Sequence, residues 1–404
     1  MSRQLMKGIR VIDFTDFLAG PYCSMYFADM GADVIKIENL VSHGNFTRNA
    51  RPHEKTNGLS MYWGNLNRGK KNVALNLKSE DGRRLFSELV KSADVLIENN
   101  RPGVMKRLGF SYEDCKKLNP RLIFASISGY GQTGPNAHKP GYDIIAQAVG
   151  GSMSITGMPG GEPLRAGMAI GDMFAALNAA TAICASLYER ETSGQGNYID
   201  VALVDSIFSG MEAKMMTYLY TGKSPEPTGN RYLTSAPYDL YHAKDNSYVI
   251  ASGTDKHFQV LSAAMGMPEL ASDPRFVDTE QRNIHFQELK DIMNAWGADK
   301  TVDEIVKIID GVGVPVAPIY NCEKAANDPA IAVDRQMLVK IPAPATYPDA
   351  GEMTVIGNPI HMPEAPCTYS AVHFDLGQDN DEIFSALGFS AEELEKMKAE
   401  GVLC

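Results

Sequence analysis

The chain has 404 residues, 44% apolar and 22% charged, a balance that suits two or three globular domains with cores of their own. Its net charge of −11 argues against non-specific binding to nucleic acid or to an anionic membrane. No run approaches the ~18 consecutive apolar residues of a membrane span, and from MSRQLMKGIRVIDF, with no long apolar region or cleavage site, no export is expected.

VIDF at 11–14 reads as a first strand, a helix over about 21–30 ends at Gly31, and DVIKIE at 33–38 reads as a second strand. NVALNL at 72–77, a helix over 79–92, DVLIEN at 94–99, a helix over 111–118 and RLIFASISGYG follow. Strands separated by helices of this length imply βαβ units and a parallel sheet covered on both faces. The fold class is therefore α/β and Rossmann-like, with ligands expected at the carboxyl ends of the strands. TDFLAGPYCSMYFADMG after the first strand contains no GxGxxG, and Glu38 alone reads as a solvated strand-end acid. A nicotinamide enzyme is excluded.

The most informative run is PLRAGMAIGDMFAALNAATAICASLYERETSGQG, where Gly171-Asp172 opens a helix of small residues. That helix closes on Glu189, Arg190 and Glu191, with Gly194 and Gly196 as stop signals. At a helix start Asp172 is expected to meet unpaired N–H groups and the positive dipole end, which would keep it ionised. The same donors can hold a developing oxyanion when a carboxylate attacks an acyl group. Gly171 is expected to leave room for a substrate beside the backbone. Taken alone, Asp172 reads as an N-cap.

After about Ser206 a methionine-rich helix (GMEAKMMTYLYTG) ends at Gly222, and KSPEPTGN is a turn. A compact unit begins near Arg231, with a strand (NSYVIAS) and helices over 257–264 and 286–296. VPVAPI at 314–319 carries two prolines, which confine it to a sheet edge. The chain loosens from about Asp328 (IPAPATYPDAGE) and ends in a charged helix, SAEELEKMKAEG. The boundaries are 1–205 for the first part, 206–230 for a linker, 231–327 for a small domain and 328–404 for a second linker and return. Cys23, Cys115, Cys184, Cys322, Cys367 and Cys404 form no CxxC pair, and the histidines show no HxH or HxxxH spacing. The thiols read as reduced and cytoplasmic, and no metal site is expected.

RVIDFTDFLAGP with GADVIKIE, NRGKKNVALNLKSEDG, DVLIENNRPGVMKRLGF, SISGYGQTGP, KPGYDIIAQAVGG, the Gly171-Asp172 step and TSGQGNYIDVAL occur in that order. Together with YDLYHAKDNSYVIAS and DNDEIFSALGFSAEELEKMKAEGV, they resemble the family III CoA-transferases, the formyl-CoA:oxalate and carnitine CoA-transferase group. The resemblance implies a large Rossmann-like domain built from both chain ends and an inserted small α+β domain. It also implies an interlocked homodimer, with chain crossings near 206–230 and 326–350.

In function it implies exchange of CoA between an acyl-CoA and a small carboxylic acid, with CoA as substrate and no permanently bound cofactor. Asp172 matches the family's nucleophile, which forms an aspartyl mixed anhydride and then an aspartyl-CoA thioester. Arg107 matches a phosphate-contacting arginine and Asn99 a CoA-contacting asparagine. Lys139 and Tyr142 are expected to line the CoA and acyl channel, and Lys70 and Lys71 to lie near the nucleotide. Phe17 and Leu18 are expected over the acyl site. Two other readings are an α-methylacyl-CoA racemase and a catalytically silent CoA-binding protein. The racemases carry histidine in a GHD step where this chain has Gly141-Tyr142-Asp143, and tyrosine is a poor base at neutral pH. The retained Gly171-Asp172 step opposes a silent protein. The formyl-CoA enzymes have glutamine at the position of Leu18 and a glycine run where PTGNRYLTSAP has only Gly229. Oxalate is therefore expected to be a poor substrate.

Overall fold

The computed structural model describes residues 3–50, 60–343 and 351–404. The chain forms two compact units. The first comprises Met1–Ser152, Arg165–Met216 and Pro329–Cys404; the second comprises Met153–Leu164 and Thr217–Asp328. Residues 344–350 of the expected second linker lie outside the described residues.

The first unit is built on six strands: β1 (Arg10–Phe14), β2 (Asp33–Asn39), β3 (Lys71–Leu75), β4 (Val95–Glu98), β5 (Ile123–Ser128) and β6 (Tyr198–Ala202). Their order is β3-β2-β1-β4-β5-β6 and every pairing is parallel. The strands are short apolar runs because both faces are covered. Ile12, Ile35, Leu96 and Phe124 face one core layer with Leu85 and Phe86 of α3 (Glu80–Ser92). The final helices α16 (Asn380–Ala386) and α17 (Ala391–Ala399) complete that layer through Ile383, Phe384 and Leu394. The chain's last segment also pairs with the edge of β3, where Asp379 N–H donates to the Asn72 carbonyl. On the opposite face Val11, Val95, Ile97 and Ala125 pack against α1 (Ala19–Asp29), α8 (Ile170–Ser193) and α9 (Leu203–Gly210).

By length and composition α8 is apolar enough to cross a membrane. Its stripe of Ala175, Ala176 and Ala179 is fully buried, and these small side chains let α1 pack closely. Gly194, in the left-handed conformation, closes it. Between the strands run α2 (Met61–Asn67), α4 (Val104–Leu108), α5 (Tyr112–Leu118), α6 (Asp143–Val149) and the turn α7 (Ser152–Ile155). A separate antiparallel pair, β10 (Leu338–Ile341) with β11 (Met353–Ile356), buries Ile341, Met353 and Val355 against Trp63.

The second unit has an antiparallel sheet of β7 (Tyr238–His242), β8 (Ser247–Ala251) and β9 (Val316–Pro318). The proline-bearing β9 lies at its edge, as missing N–H donors require. Tyr241, Tyr248 and Ile250 pack on α11 (Asp255–Ala264), α13 (Phe286–Gly297) and α14 (Val302–Asp310). Among the described residues lie also the helices α10 (Glu212–Thr221), α12 (Thr279–Ile284) and α15 (Cys322–Asn327). Glu212, at φ 38°, separates α9 from α10, which carries most of the methionine-rich run.

Candidate active site

A cavity of about 310 Å³ opens at the carboxyl ends of β1, β4 and β5. This is where the strand order reverses, the place at which open α/β sheets bind ligands. Asp16, Phe17 and Ala19 line it after β1, Asn99 to Pro102 after β4, and Ile127 to Gly129 at the end of β5. Lys139, Pro140, Gly141 and Tyr142 come from the next loop, Asp172 from α8 and Leu203 from α9. A Cβ on Gly129 would stand 2.6 Å from the Gly141 Cα, so only glycines allow these two loops to cross.

Asp172 is the third residue of α8, whose N-cap is Ala169, so it is not the cap. Among the described residues it has no hydrogen-bond donor or cationic partner. The N–H of Gly171 is taken instead by Asp143, at 2.8 Å, and Asp143 also accepts from Gln147 at 2.7 Å. Burial, and then the Asp143 charge, push the Asp172 carboxyl up to about 7. This corrects the expectation that the helix start keeps Asp172 ionised, because the carboxyl is buried and a second carboxylate occupies that end of the helix. Gly171 is buried, and a Cβ there would meet Asp143 at 3.1 Å and Ala146 at 3.3 Å. Its missing side chain makes room for the protein's own packing, not for substrate.

The turn after β1 is held from below by a buried charge cluster. Asp13 accepts from Lys36 at 3.1 Å, Lys70 at 2.9 Å and Ser24 at 2.6 Å. Burial pushes the Asp13 carboxyl up, but the two ammonium groups and the Ser24 and Thr15 hydroxyls outweigh it and hold it well below the usual range. Lys70 also donates to the Pro21 carbonyl, Ser24 and Asn67. Burial lowers its own value to about 8. Its ammonium is wholly enclosed, so the expectation that it lies at a nucleotide is corrected. Lys71 is paired with Asp33 and Glu382.

Phe17 sits at φ 61°, a left-handed conformation that costs a non-glycine residue roughly 1–2 kcal/mol. Its ring stacks on Phe46 at 5.6 Å and meets Tyr142 edge-on at 5.8 Å. Leu18 turns away and packs with Met25, Tyr26 and Leu66. Asn99 lines the cavity, but its amide is engaged with the backbone of Asp16.

Arg107, on α4, does not line the main cavity. It adjoins Leu108, which lines a smaller cavity of about 80 Å³ with Phe14, Glu38, Leu75, Leu77 and Lys78. Arg101 and Lys139 are the cations of the main cavity, and neither has an ion-pair partner among the described residues. Ser128, which also lines it, has a buried hydroxyl without a partner among the described residues. Arg101, Ser128, Asp16 and Asp143 were not expected from the sequence. Arg101 lies three residues after β4 and Ser128 is the last residue of β5, and strand-end position was the available signal.

The family model for CoA-transferase family III matches residues 6–380. The chain belongs to that family. It is 42% identical to an acetyl-CoA:oxalate CoA-transferase of Acetobacter aceti over 88% of either chain. It is 36% identical to a succinyl-CoA–D-citramalate CoA-transferase of Chloroflexus aurantiacus over 98% of either chain. A CAIB/BAIF family protein from Brucella suis superposes with a TM-score of 0.85 at 32% identity, covering 96% of this chain and 100% of that one. The protein is a CoA-transferase, and CoA thioesters are the substrates of such enzymes.

Proposed function

We propose that this CoA-transferase moves CoA from an acyl-CoA to a small dicarboxylic acid through covalent intermediates on Asp172. A carboxylate oxygen of Asp172 attacks the thioester carbonyl, the C–S bond breaks, and CoA thiolate leaves behind an aspartyl mixed anhydride. The thiolate then attacks the aspartyl carbonyl of that anhydride, releasing the donor's acid as a carboxylate and leaving an aspartyl-CoA thioester. The acceptor carboxylate attacks this thioester, and the same steps reverse to give the new acyl-CoA and free Asp172. A thioester is exchanged for a thioester, so neither ATP nor an ion is required.

The observation that carries this reading is the desolvated Asp172 carboxyl in a cavity with two cations that have no ion-pair partner among the described residues. A carboxyl raised from 3.8 to about 7 has an anion destabilised on the order of 4 kcal/mol. Acylation removes that charge, so burial favours the covalent intermediate over the free anion. Arg101 and Lys139 suit the carboxylates of a dicarboxylic acid or the charge developing on the thioester. Arg107, exposed on α4 outside the main cavity, suits a phosphate of CoA at the surface. The two relatives named for oxalate and citramalate support dicarboxylic acids and return oxalate to the candidates.

We place the enzyme in the cytoplasm as an interlocked homodimer. Six free thiols support a reducing compartment. Apolar side chains exposed along α8 and α9, among them Tyr188 at 84% and Phe208 at 53%, support a covering partner. A screen of acyl-CoA donors against free acids, read by mass spectrometry, tests the assignment. Exchange is expected with dicarboxylic acceptors and none with Asp172→Ala. Full exchange by that variant would overturn the mechanism.

A further inference from the structure

We propose that Asn99 and Asp16 form a positioning pair that fixes the reach of Phe17 into the cavity, and through it the size of acyl group accepted. This rests on the transfer reading above. The Asn99 amide pairs with the Asp16 peptide as one strand residue pairs with another. Its Oδ1 accepts the Asp16 N–H at 2.8 Å and its Nδ2 donates to the Asp16 carbonyl at 2.7 Å. The Asp16 carboxylate then accepts the N–H of Phe17 at 2.7 Å, the N–H of Phe46 at 3.0 Å and the Thr47 hydroxyl at 3.2 Å. One residue thus ties the turn after β1 to β4 and to the 45–48 segment.

Phe17 is the residue this fastening serves. A phenylalanine at φ 61° stays there only where its surroundings over-determine it. The Thr15 carbonyl just before the turn is fixed by Lys36 at 2.5 Å and Asn45 at 2.7 Å, which immobilises the near side. Asn99 and the Asp16 carboxylate fix the next peptide, between Asp16 and Phe17. The residue is left 42% exposed at the cavity, its ring between Phe46 and Tyr142. A strained aromatic whose two preceding peptides are both hydrogen-bonded in place is a rigid stop. A residue kept only for stability would sit in a relaxed conformation.

The test is the ratio of kcat/KM for hexanoyl-CoA to that for acetyl-CoA in four proteins: wild type, Phe17→Gly, Asn99→Ala and the double variant. Phe17→Gly keeps the left-handed backbone without cost and removes the stop, so the ratio should rise about tenfold or more. Asn99→Ala should raise it in the same direction through KM, and should add nothing once Phe17 is glycine. If Asn99 instead touches CoA directly, its removal would weaken both donors equally in both backgrounds, and the proposal fails. Asp16→Asn, which keeps the backbone pairing but loosens Phe46 and Thr47, is the second variant should Asn99→Ala not fold. An unchanged ratio in folded Asn99→Ala or Asp16→Asn also overturns the proposal. If wild type transfers no acyl group at all, the transfer reading falls. The same ratio, taken from calorimetric affinities for the two thioesters, then decides the positioning role separately.

Discussion

Asp143 accepts the backbone N–H of Gly171 at 2.8 Å, one residue before the carboxyl of Asp172. One carboxylate thus occupies the helix end and crowds the other with like charge. Burial is the larger cause and this charge the second, and together they raise Asp172 to about 7. Because only the ionised form attacks, kcat/KM for acyl-CoA should fall tenfold per pH unit below about 7. Asp143→Asn should move that limb to lower pH by removing the neighbouring charge. A limb unmoved in this variant, measured over pH 5 to 9, would show that Asp172 does not set it.

The same shift has a cost in stability. A carboxyl whose folded value is raised contributes stability that is full below its unfolded value and lost as pH rises through the folded one. The window here runs from about 4 to 7. Asp172→Asn should therefore melt like wild type near pH 4 and be more stable at pH 8, by up to on the order of 4 kcal/mol. Urea unfolding at the two pH values checks this, and activity should be lost at both.

Lys70 and Arg107 should separate cleanly. Lys70→Met leaves part of a buried charge cluster uncompensated and should destabilise by roughly 3–5 kcal/mol, without changing the preference for CoA esters over dephospho-CoA esters. Arg107→Ala should leave unfolding within about 0.5 kcal/mol and raise KM for acyl-CoA much more than KM for the free acid. Thermal melts and steady-state kinetics on both variants distinguish the roles.

Arg101→Ala should raise KM for a dicarboxylic acceptor about tenfold or more, more than KM for a monocarboxylic one, since a charge-assisted contact to the second carboxylate is lost. Equal effects on both acids would remove Arg101 from acceptor recognition.

Much of the sheet was legible because strands such as VIDF, DVIKIE and NVALNL are buried on both faces and read as short apolar runs between helices. Helix α14 went unread although Thr301 and Glu304 form a capping box at its start. Asp172 stood out through its Gly-Asp step and the order of neighbouring motifs. What it touches did not, since Asp143 reaches Gly171 across 28 residues and only the fold brings them together. Lys70 and Lys71 are adjacent in a basic block, yet one is enclosed with Asp13 and the other lies at the surface with Glu382. Strand alternation decides that difference, and composition is blind to it. Phe17 and Leu18 divide in the same way, one into the cavity and the other into the packing of α1.

The central claim is a covalent intermediate on Asp172, and trapping it is the most direct measurement. The enzyme is given acyl-CoA without acceptor, treated with borohydride or hydroxylamine, digested and mapped by mass. Both reagents attack activated carboxyl carbons and spare free carboxylates, so the segment 165–190 should carry the new mass at Asp172. Adding a dicarboxylic acceptor first should reduce that signal by draining the intermediate. Dominant modification of any other carboxylate, Asp143 included, would contradict the mechanism.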